Sequence, residues 1–216
     1  MIRIGPGAPR SRVDGFRLRL ARARADAVLT TGANLRAEPA LRHTLDGEGA
    51  AELVRHRREQ LGRSGPPESV VLTRGQRLDP AHPLWLGPRP VRVLVPRDGA
   101  EAARRELAAR GAVIETPERA GLPGALHHLR SRSGTCTVCI EAGPATARHL
   151  YRAALLADEL LLSIFLAPEL DARHLVAPFA SPHRIRALFG EPVERTESEE
   201  ESGRWRFERY RRRPAP

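Results

Sequence analysis

Lysine is absent from this sequence, and all 36 of its basic residues are arginine. Only two cysteines are present, aromatic residues make up 4%, and no apolar run approaches the roughly 20 residues that a transmembrane helix requires. Two cysteines cannot build a disulfide scaffold, and so few aromatic side chains cannot form a stacking platform for single-stranded nucleic acid. The N-terminal segment 1–10 also lacks the apolar stretch of a secretory signal. These absences predict a cytoplasmic protein without a membrane segment or a disulfide framework.

The net charge is +10 at pH 7, from 36 basic and 26 acidic residues. A surplus of this size is typical of nucleic-acid-binding proteins. However, the exclusive use of arginine, together with many Ala, Gly and Pro residues, is the composition that a GC-rich genome produces. Residues 1–63 hold 13 arginines against 7 acidic residues, and this basic third equally suits a small phosphate-bearing ligand. We therefore rank nucleic-acid binding last among three hypotheses for the function.

Short apolar runs alternate with segments of helical periodicity, which is the pattern of an α/β fold with a mainly parallel sheet. A length of 216 residues suits a single domain, 1–216, whose ends at 1–10 and 211–216 we expect to be flexible. The acidic run 197–201 predicts a solvated loop. The predicted strands span 27–31, 69–73, 91–95, 112–115, 135–140 and 158–165, followed by an antiparallel strand over 204–210 with Trp205 and Phe207 facing the core. The predicted helices span 12–25, 48–61, 99–110 and 122–130, and a further amphipathic helix begins at Pro144 and includes Ala154 and Leu155.

Two junctions at the ends of predicted strands are the candidate binding positions. One comprises residues 30–34 (TTGAN) and the other residues 141–146 (EAGPAT). Ligands of open α/β sheets bind at the carboxyl ends of the strands, and free backbone N–H groups at the start of a helix suit phosphate. Glu141 would place a carboxylate in the same crevice. The alternative is that Gly143 and Pro144 only make a tight turn, with Glu141 as a carboxylate at the start of a helix.

The pair Cys136 and Cys139 has the C-x-x-C spacing of redox and zinc motifs. Redox pairs of this kind lie at a helix N-terminus, whereas both cysteines fall in a predicted strand, where we expect them to be buried. A structural zinc site requires a second pair of ligands, which the sequence lacks. The adjacent His127 and His128 lie on a predicted helix with one face in solvent. The sequence therefore predicts no metal site.

Five segments, in order along residues 11–210, resemble motifs of the riboflavin-biosynthesis pyrimidine reductases. These are the C-terminal reductase domains of a bifunctional deaminase–reductase. Residues 24–41 (RADAVLTTGANLRAEPAL) are similar to the first signature of that family. The remaining segments are 70–73 (VVLT), 78–80 (LDP), 141–144 (EAGP), and 156–160 (LADEL) with 167–168 (AP). The resemblance implies a dihydrofolate-reductase-like fold, a three-layer α/β sandwich with a mainly parallel sheet and an antiparallel C-terminal strand.

By this resemblance the protein is an NADPH-dependent reductase that converts the ribosyl group of a phosphorylated ribosylamino pyrimidine into a ribityl chain, and it forms a homodimer. Such a reaction needs no acid–base triad, because the cofactor carries the hydride. The implied substrate contacts are Arg22, Leu41, Arg42 and Glu141. Arg22 falls at the position of an arginine that binds the substrate phosphate, and a guanidinium is a good bidentate partner for phosphate. The implied cofactor contacts are Thr31, Gly32, Asn34, Glu38, Gly143, Pro144, Ala145 and Thr146.

The sequence also departs from the family pattern. Only residues 1–10 precede the first predicted helix, where the family has a strand that ends in a Ser-Leu-Asp-Gly-like turn. Asn34 stands at the position of the signature threonine. Glu38 is directly followed by Pro39, whereas the family's aspartate is separated from its proline by one residue. We therefore expect either a start site further upstream or a diverged relative that has lost part of its site. The second hypothesis is thus an inactive reductase-like protein that binds a nucleotide or serves as a partner subunit.

Overall fold

The computed structural model describes residues 8–75, 77–132, 134–152, 155–166 and 178–212. The chain divides into two compact units, Leu18–Gly143 and a second one made of Met1–Arg17 with Pro144–Pro216. The single domain over 1–216 stays a prediction. Four earlier expectations, on the N-terminal end at 1–7, on Ala154, on the motif at 167–168 and on the end of the tail at 213–216, fall outside the described residues. Within the described ranges, no helix combines the length and the apolar character needed to cross a membrane.

The unit Leu18–Gly143 is built on a parallel sheet. Its strands in the described ranges are β1 (Ala27–Thr31), β2 (Glu68–Leu72), β3 (Arg92–Leu94), β4 (Val113–Glu115) and β5 (Val138–Ile140). They follow the order β4-β3-β2-β1-β5, and each neighbouring pair is parallel. The chain thus moves outward from β1 to β4 and then returns to place β5 on the other side of β1. This reversal makes the boundary between β1 and β5 the switch point, where ligands of such sheets bind.

Helices precede or connect these strands. They are α1 (Arg12–Arg24, of which residues 18–24 belong to this unit), α2 (Gly32–Ala37), α3 (Ala50–Leu61), α4 (Arg97–Leu107) and α5 (Gly121–Arg130), with 3₁₀ turns at Pro83–Leu86 and Ala108–Arg110. Gly111, at φ +62°, takes the left-handed conformation directly after the second 3₁₀ turn, a geometry that glycine adopts without strain. It therefore ends the helix that the sequence predicts over 99–110.

The core of this unit lies around β1 and β2. All five residues of β1 are buried, because β1 has a strand neighbour on each side and a parallel sheet is covered on both faces. One core cluster consists of Leu35, Val71, Leu78, Leu84, Trp85, Val91, Val93 and Leu107. Full burial of a Leu or Val side chain contributes about 1.5–3 kcal/mol. The strand predicted over 27–31 is confirmed with the same bounds.

The other unit carries an antiparallel sheet. Its strands β6 (Glu159–Phe165), β7 (Glu194–Glu200) and β8 (Gly203–Arg211) follow the order β6-β8-β7. The remaining elements are α6 (Pro144–Ala147), a 3₁₀ turn at Arg148–Tyr151 and α7 (Pro182–Phe189). Trp205 and Phe207 are buried, and the Trp205 ring centroid lies 5.0 Å from that of Phe165. The predicted antiparallel strand with Trp205 and Phe207 in the core is confirmed.

The acidic run 197–201 is not the solvated loop that the sequence predicts. Residues up to Glu200 belong to β7, and Glu201 lies in the turn that follows. The arginines of β8 explain the difference, because they lie beside the acidic residues of β7. Arg204, for example, donates from Nε to Oε2 of Glu197 at 3.1 Å. Cross-strand pairs of opposite charge each stabilise a sheet by about 0.2–1 kcal/mol.

The helix predicted from Pro144 through Leu155 is shorter than expected. α6 and the 3₁₀ turn after it end at Tyr151, and Leu155 lies outside any helix. The amide of Leu156 donates to the carbonyl of Leu150 at 3.0 Å, so the chain folds back on the turn. The helical spacing of apolar residues here reflects the burial of Leu150 and Tyr151 and not a long helix.

Cys136 is exposed and precedes β5, whereas the sequence predicts a buried strand position. The amides of Cys136 and Thr137 both donate to Oδ2 of Asp26, each at 2.8 Å. A carboxylate is therefore the acceptor for these two amides, and the ladder of β5 with β1 begins only at Val138.

The carboxylate of Glu200 closes the N-terminus of α1. It accepts hydrogen bonds from the Ser11 hydroxyl at 2.5 Å and the Arg12 amide at 2.6 Å, while Ser11 Oγ accepts the Asp14 amide at 2.9 Å. We expect Glu200→Gln to lower the free energy of unfolding by about 1–2 kcal/mol, because an anion at a helix start is lost. Urea denaturation measures the loss, with the exposed turn residue Glu201, changed to Gln, as the control. Equal losses in the two variants would contradict the capping role.

Candidate functional site

The two junctions that the sequence singles out meet at the switch point. The chain continues past Ile140, and the Glu141 amide donates to the Leu29 carbonyl of β1 at 2.8 Å. Thr31, the last residue of β1, caps α2 by accepting the Asn34 amide on its hydroxyl oxygen at 3.2 Å. The carboxyl ends of β1 and β5 therefore present their following turns side by side.

Arg22, in the last turn of α1, forms a buried ion pair with Glu141. Nε and Nη2 donate to the two carboxylate oxygens at 2.6 and 2.7 Å, and the side chains are only 8% and 12% exposed. Nη1 also donates to the carbonyls of Arg42 and Thr44, at 3.0 and 3.5 Å. Burial opposes the charge of Arg22, but the hydrogen bond and charge of Glu141 outweigh it and raise the pKa of Arg22. The pair therefore holds the side chain of Glu141 in a fixed orientation.

Asn34 is the only asparagine of the sequence, and its side chain spans the two junctions. Nδ2 donates to the Glu141 carbonyl at 2.9 Å, and Oδ1 accepts the Gly143 amide at 3.2 Å. Only this orientation of the amide matches a donor to the carbonyl and an acceptor to the N–H. The resemblance implies a cofactor contact for Asn34, whereas its side chain binds the turn that follows β5.

Glu38 follows α2 and lies near the ion pair. Partial burial, and then the negative charge of Glu141, raise the pKa of Glu38 above its usual range, against the opposing effect of Arg22. The Glu38 carbonyl lies 3.1 Å from Nε2 of His82, whose Nδ1 accepts the Leu84 amide at 3.2 Å. These two bonds assign His82 as the neutral tautomer with its proton on Nε2. The end of α2 is thus tied to the loop that contains His82.

His43 is a buried neighbour of this cluster that sequence reasoning missed. Its Nδ1 lies 3.1 Å from Ser69 Oγ, and its Nε2 is buried with no hydrogen-bond partner among the described residues. Burial lowers the pKa of His43 to about 4, with Arg22 and His82 acting in the same direction and Glu141 opposing. The available signal was the alternation of His43 with two leucines at 41 and 45, which places all three on the inner side of an extended segment.

The predicted site residues fall into three groups: those at the switch point, two in the segment after α2, and three in the other unit. Those in the unit Leu18–Gly143 that the structure brings to the switch point are Arg22, Thr31, Gly32, Asn34, Glu38, Glu141 and Gly143. Gly32 is buried, and a Cβ there would lie 3.0 Å from Thr73 Oγ1, so a side chain at this position would require Thr73 to shift. Leu41 packs half-buried on the core, and the side chain of Arg42 is exposed. The others, Pro144, Ala145 and Thr146, form the start of α6 in the other unit.

Cys139 faces the same cluster as a thiol. Its Sγ lies 3.9 Å from Oε1 of Glu141, and burial, followed by the charge of Glu141, raises the pKa of Cys139 to about 12. A thiol with so high a pKa is a poor nucleophile. Within the described ranges, no three His, Cys, Asp or Glu residues lie close enough together to hold a metal ion.

Solved structures resemble this chain, although no family model and no curated protein matches it. A pyrimidine reductase-like protein from Corynebacterium diphtheriae is 21% identical, with a TM-score of 0.67 over 95% of this chain and 83% of that one. RibD from Acinetobacter baumannii is 20% identical, with a TM-score of 0.66 over 98% of this chain and 53% of RibD, so the chain spans about half of RibD. Rib7, a riboflavin biosynthesis reductase from Saccharomyces cerevisiae, is 10% identical, with a TM-score of 0.56 over 95% and 82%.

These likenesses extend over nearly the whole chain and concern the fold. The predicted α/β class, with a mainly parallel sheet and antiparallel strands at the C-terminal end, is confirmed. The antiparallel strands form a sheet of their own within the described residues. The chain has the dihydrofolate-reductase-like α/β fold of these pyrimidine and riboflavin-biosynthesis reductases.

Proposed function

We propose that this protein is an NADPH-dependent reductase of the riboflavin-pathway type, acting on a phosphorylated ribosylamino pyrimidine. The observation that supports this most directly is the meeting of Arg22, Asn34 and Glu141 at the switch point of a reductase-like fold. The resemblance implies substrate or cofactor contacts at these same positions. The fold alone does not define a function, so the weight of the proposal rests on this cluster.

Arg42 is the group that we assign to the substrate phosphate. Its guanidinium is exposed, while its carbonyl accepts a hydrogen bond from Arg22 at 3.0 Å, so its loop is fixed beside the ion pair. A guanidinium binds phosphate through two parallel hydrogen bonds. Arg22, in contrast, already donates from all three of its nitrogens within the protein. Arg22 therefore serves to hold Glu141, and Glu141 with Leu41 completes the substrate contacts.

The residues at the switch point fit a dinucleotide. Thr31 and Gly32 turn the chain directly after β1, and the missing side chain at Gly32 lets the side chains of Thr73 and Leu78 pack closely there. The resemblance also implies cofactor contacts at Ala145 and Thr146, which lie at the start of α6 in the other unit. Bound NADPH would supply the hydride, and the protein groups bind and orient the reactants.

A homodimer belongs to the same proposal. Among the described residues, β6 pairs with β8 alone, so its other edge carries no strand. The side chains of Leu161, Leu162 and Ile164 on β6 are only half-buried. An apolar strand of this kind at a sheet edge is a surface on which another chain can pair.

The second candidate is a diverged protein that binds a nucleotide without reducing a substrate. The observation that favours it is the internal use of polar groups: both oxygens of Glu141 and both ends of the Asn34 amide are bonded within the protein. Both candidate proteins bind a nucleotide, but only the first one reduces a substrate.

A thermal-shift titration with NADPH, with NADH as the control, tests the proposal. A ligand at about 100 times its dissociation constant stabilises a folded protein by about 2.7 kcal/mol, which raises the midpoint by several degrees. We expect this shift with NADPH and a smaller one with NADH. Loss of NADPH absorbance on addition of the ribosylamino pyrimidine phosphate then supports the reductase. Binding without turnover supports the second candidate, and no shift with either dinucleotide contradicts both.

A further inference from the structure

Asn34 connects two turns that lie 107 residues apart in the sequence. One turn begins α2 after β1, and the other follows β5. The side-chain amide bonds the carbonyl of Glu141 and the N–H of Gly143, which are the two main-chain groups on either side of Ala142. A Cβ on Gly143 would lie 3.2 Å from Asn34 Oδ1, so the turn sits tightly against the amide.

Glu141 is consequently held at two places. Arg22 binds both of its carboxylate oxygens, and Asn34 binds its main-chain carbonyl. The first contact fixes the end of the side chain and the second fixes the backbone from which it projects. Two attachments from two different elements, α1 and α2, leave the carboxylate little freedom to rotate or shift.

We propose that Asn34 is a positioning residue, which sets the turn 141–143 for the bound dinucleotide and the carboxylate of Glu141 for the substrate, without contacting either ligand itself. This inference rests on the proposed function, since it takes a nicotinamide dinucleotide as the ligand. An asparagine suits this role better than the threonine of the family pattern, because its amide reaches further and uses one atom as donor and another as acceptor, whereas a hydroxyl must serve both groups from a single oxygen. Displacements of about 1 Å at a binding site can cost up to a hundredfold in rate or affinity, so loss of this contact has a measurable effect.

If Asn34 only stabilised the fold, another variant that destabilises the same strand would weaken NADPH binding equally. Asp26 offers such a control. Asp26 tethers the same strand at its other end, where its carboxylate accepts the amides of Cys136 and Thr137 at 2.8 Å each. Truncation of Asn34 removes two side-chain bonds to the turn after β5, and truncation of Asp26 removes two to the residues before β5 together with its ion pair to Arg63 at 2.7 Å. Both variants lose stability, but only Asn34 lies at the carboxyl end of the strand.

The experiment measures the dissociation constant of NADPH by calorimetry for the intact chain, Asn34→Ala and Asp26→Ala, with urea denaturation of each. We expect Asn34→Ala to raise the dissociation constant roughly tenfold or more and Asp26→Ala to leave it within twofold. Hydrogen exchange of the Gly143 amide supplies a direct readout of the contact and should accelerate in Asn34→Ala alone. Asn34→Asp, which keeps the acceptor for Gly143 and loses the donor to Glu141, covers the case in which the alanine variant does not fold.

The possible outcomes separate the two proposals. Unchanged NADPH affinity in Asn34→Ala and Asn34→Asp overturns the positioning role and leaves the proposed function intact. An equal loss of affinity in Asp26→Ala and Asn34→Ala also overturns it, because the effect is then one of general stability. Failure of the intact chain to bind NADPH overturns the proposed function, and the positioning role falls with it.

Discussion

Replacing Arg22 by methionine is expected to lower the free energy of unfolding by about 3–5 kcal/mol. The variant leaves the carboxylate of Glu141, which is 12% exposed, without its cation. It also removes the donors to the carbonyls of Arg42 and Thr44. Urea denaturation measures the loss, with Arg105→Met as the control, because Arg105 is exposed on α4. A single variant as stable as the parent would show that the ion pair does not hold this region together.

The matched double variant Arg22→Met with Glu141→Leu separates stability from function. A buried ion pair can be replaced by apolar residues of similar volume with little loss of stability, whereas one isolated charge cannot. We therefore expect the double variant to recover most of the stability that the single variant loses. Its turnover should not recover, because the carboxylate of Glu141, a substrate contact in the proposed function, is gone. Recovery of stability and turnover together would place the ion pair outside the binding machinery.

Acidification is expected to destabilise the fold through His43. An unfolded histidine binds its proton near pH 6.5, whereas burial holds the pKa of folded His43 at about 4. Between these two values the unfolded state binds the extra proton, so the free energy of unfolding falls as the pH falls from 6.5 to 4. One pKa unit corresponds to about 1.4 kcal/mol, which gives a loss of roughly 3 kcal/mol over this window.

Replacement of His43 by glutamine isolates this effect. The glutamine variant is less stable at neutral pH if its amide fails to reach Ser69, but its unfolding free energy should depend less steeply on pH between 6.5 and 4 than that of the parent. His127→Gln serves as the control, because His127 is exposed on α5. Equal slopes for the parent and the His43 variant would contradict a buried, neutral His43.

Local patterns were sufficient to predict most of the elements. The strand over 27–31 and the helix end at Gly111 depend on an apolar run and on a glycine that adopts positive φ, and both features act on their immediate neighbours. The acidic run 197–201 was wrongly predicted to be a loop, because the strand that it enters, up to Glu200, is stabilised by arginines on the neighbouring strand. The pattern of residues along one segment does not show which side chains will lie opposite it in the folded sheet.

The candidate site could be predicted only as separate pieces. Sequence reasoning selected Arg22, Asn34 and Glu141, but not that the first two bind the third. That arrangement depends on β5 returning beside β1, a matter of topology and not of local spacing. It also changes the roles of two residues, since Arg22 and Asn34 act on Glu141 instead of being free for a ligand.

The strand order of the parallel sheet has a consequence for how the protein is made. During synthesis the segment from β1 to β4 leaves the ribosome before β5, and its neighbouring pairs connect strands that are close in the chain. The contact between β1 and β5 spans a far greater sequence separation, so its loop-closure cost places it late in folding. Arg22, Asn34 and Glu141 come together only at that step. A ligand at the switch point therefore meets a completed unit: it can slow the unfolding of the mature protein but cannot act as a template for the nascent chain.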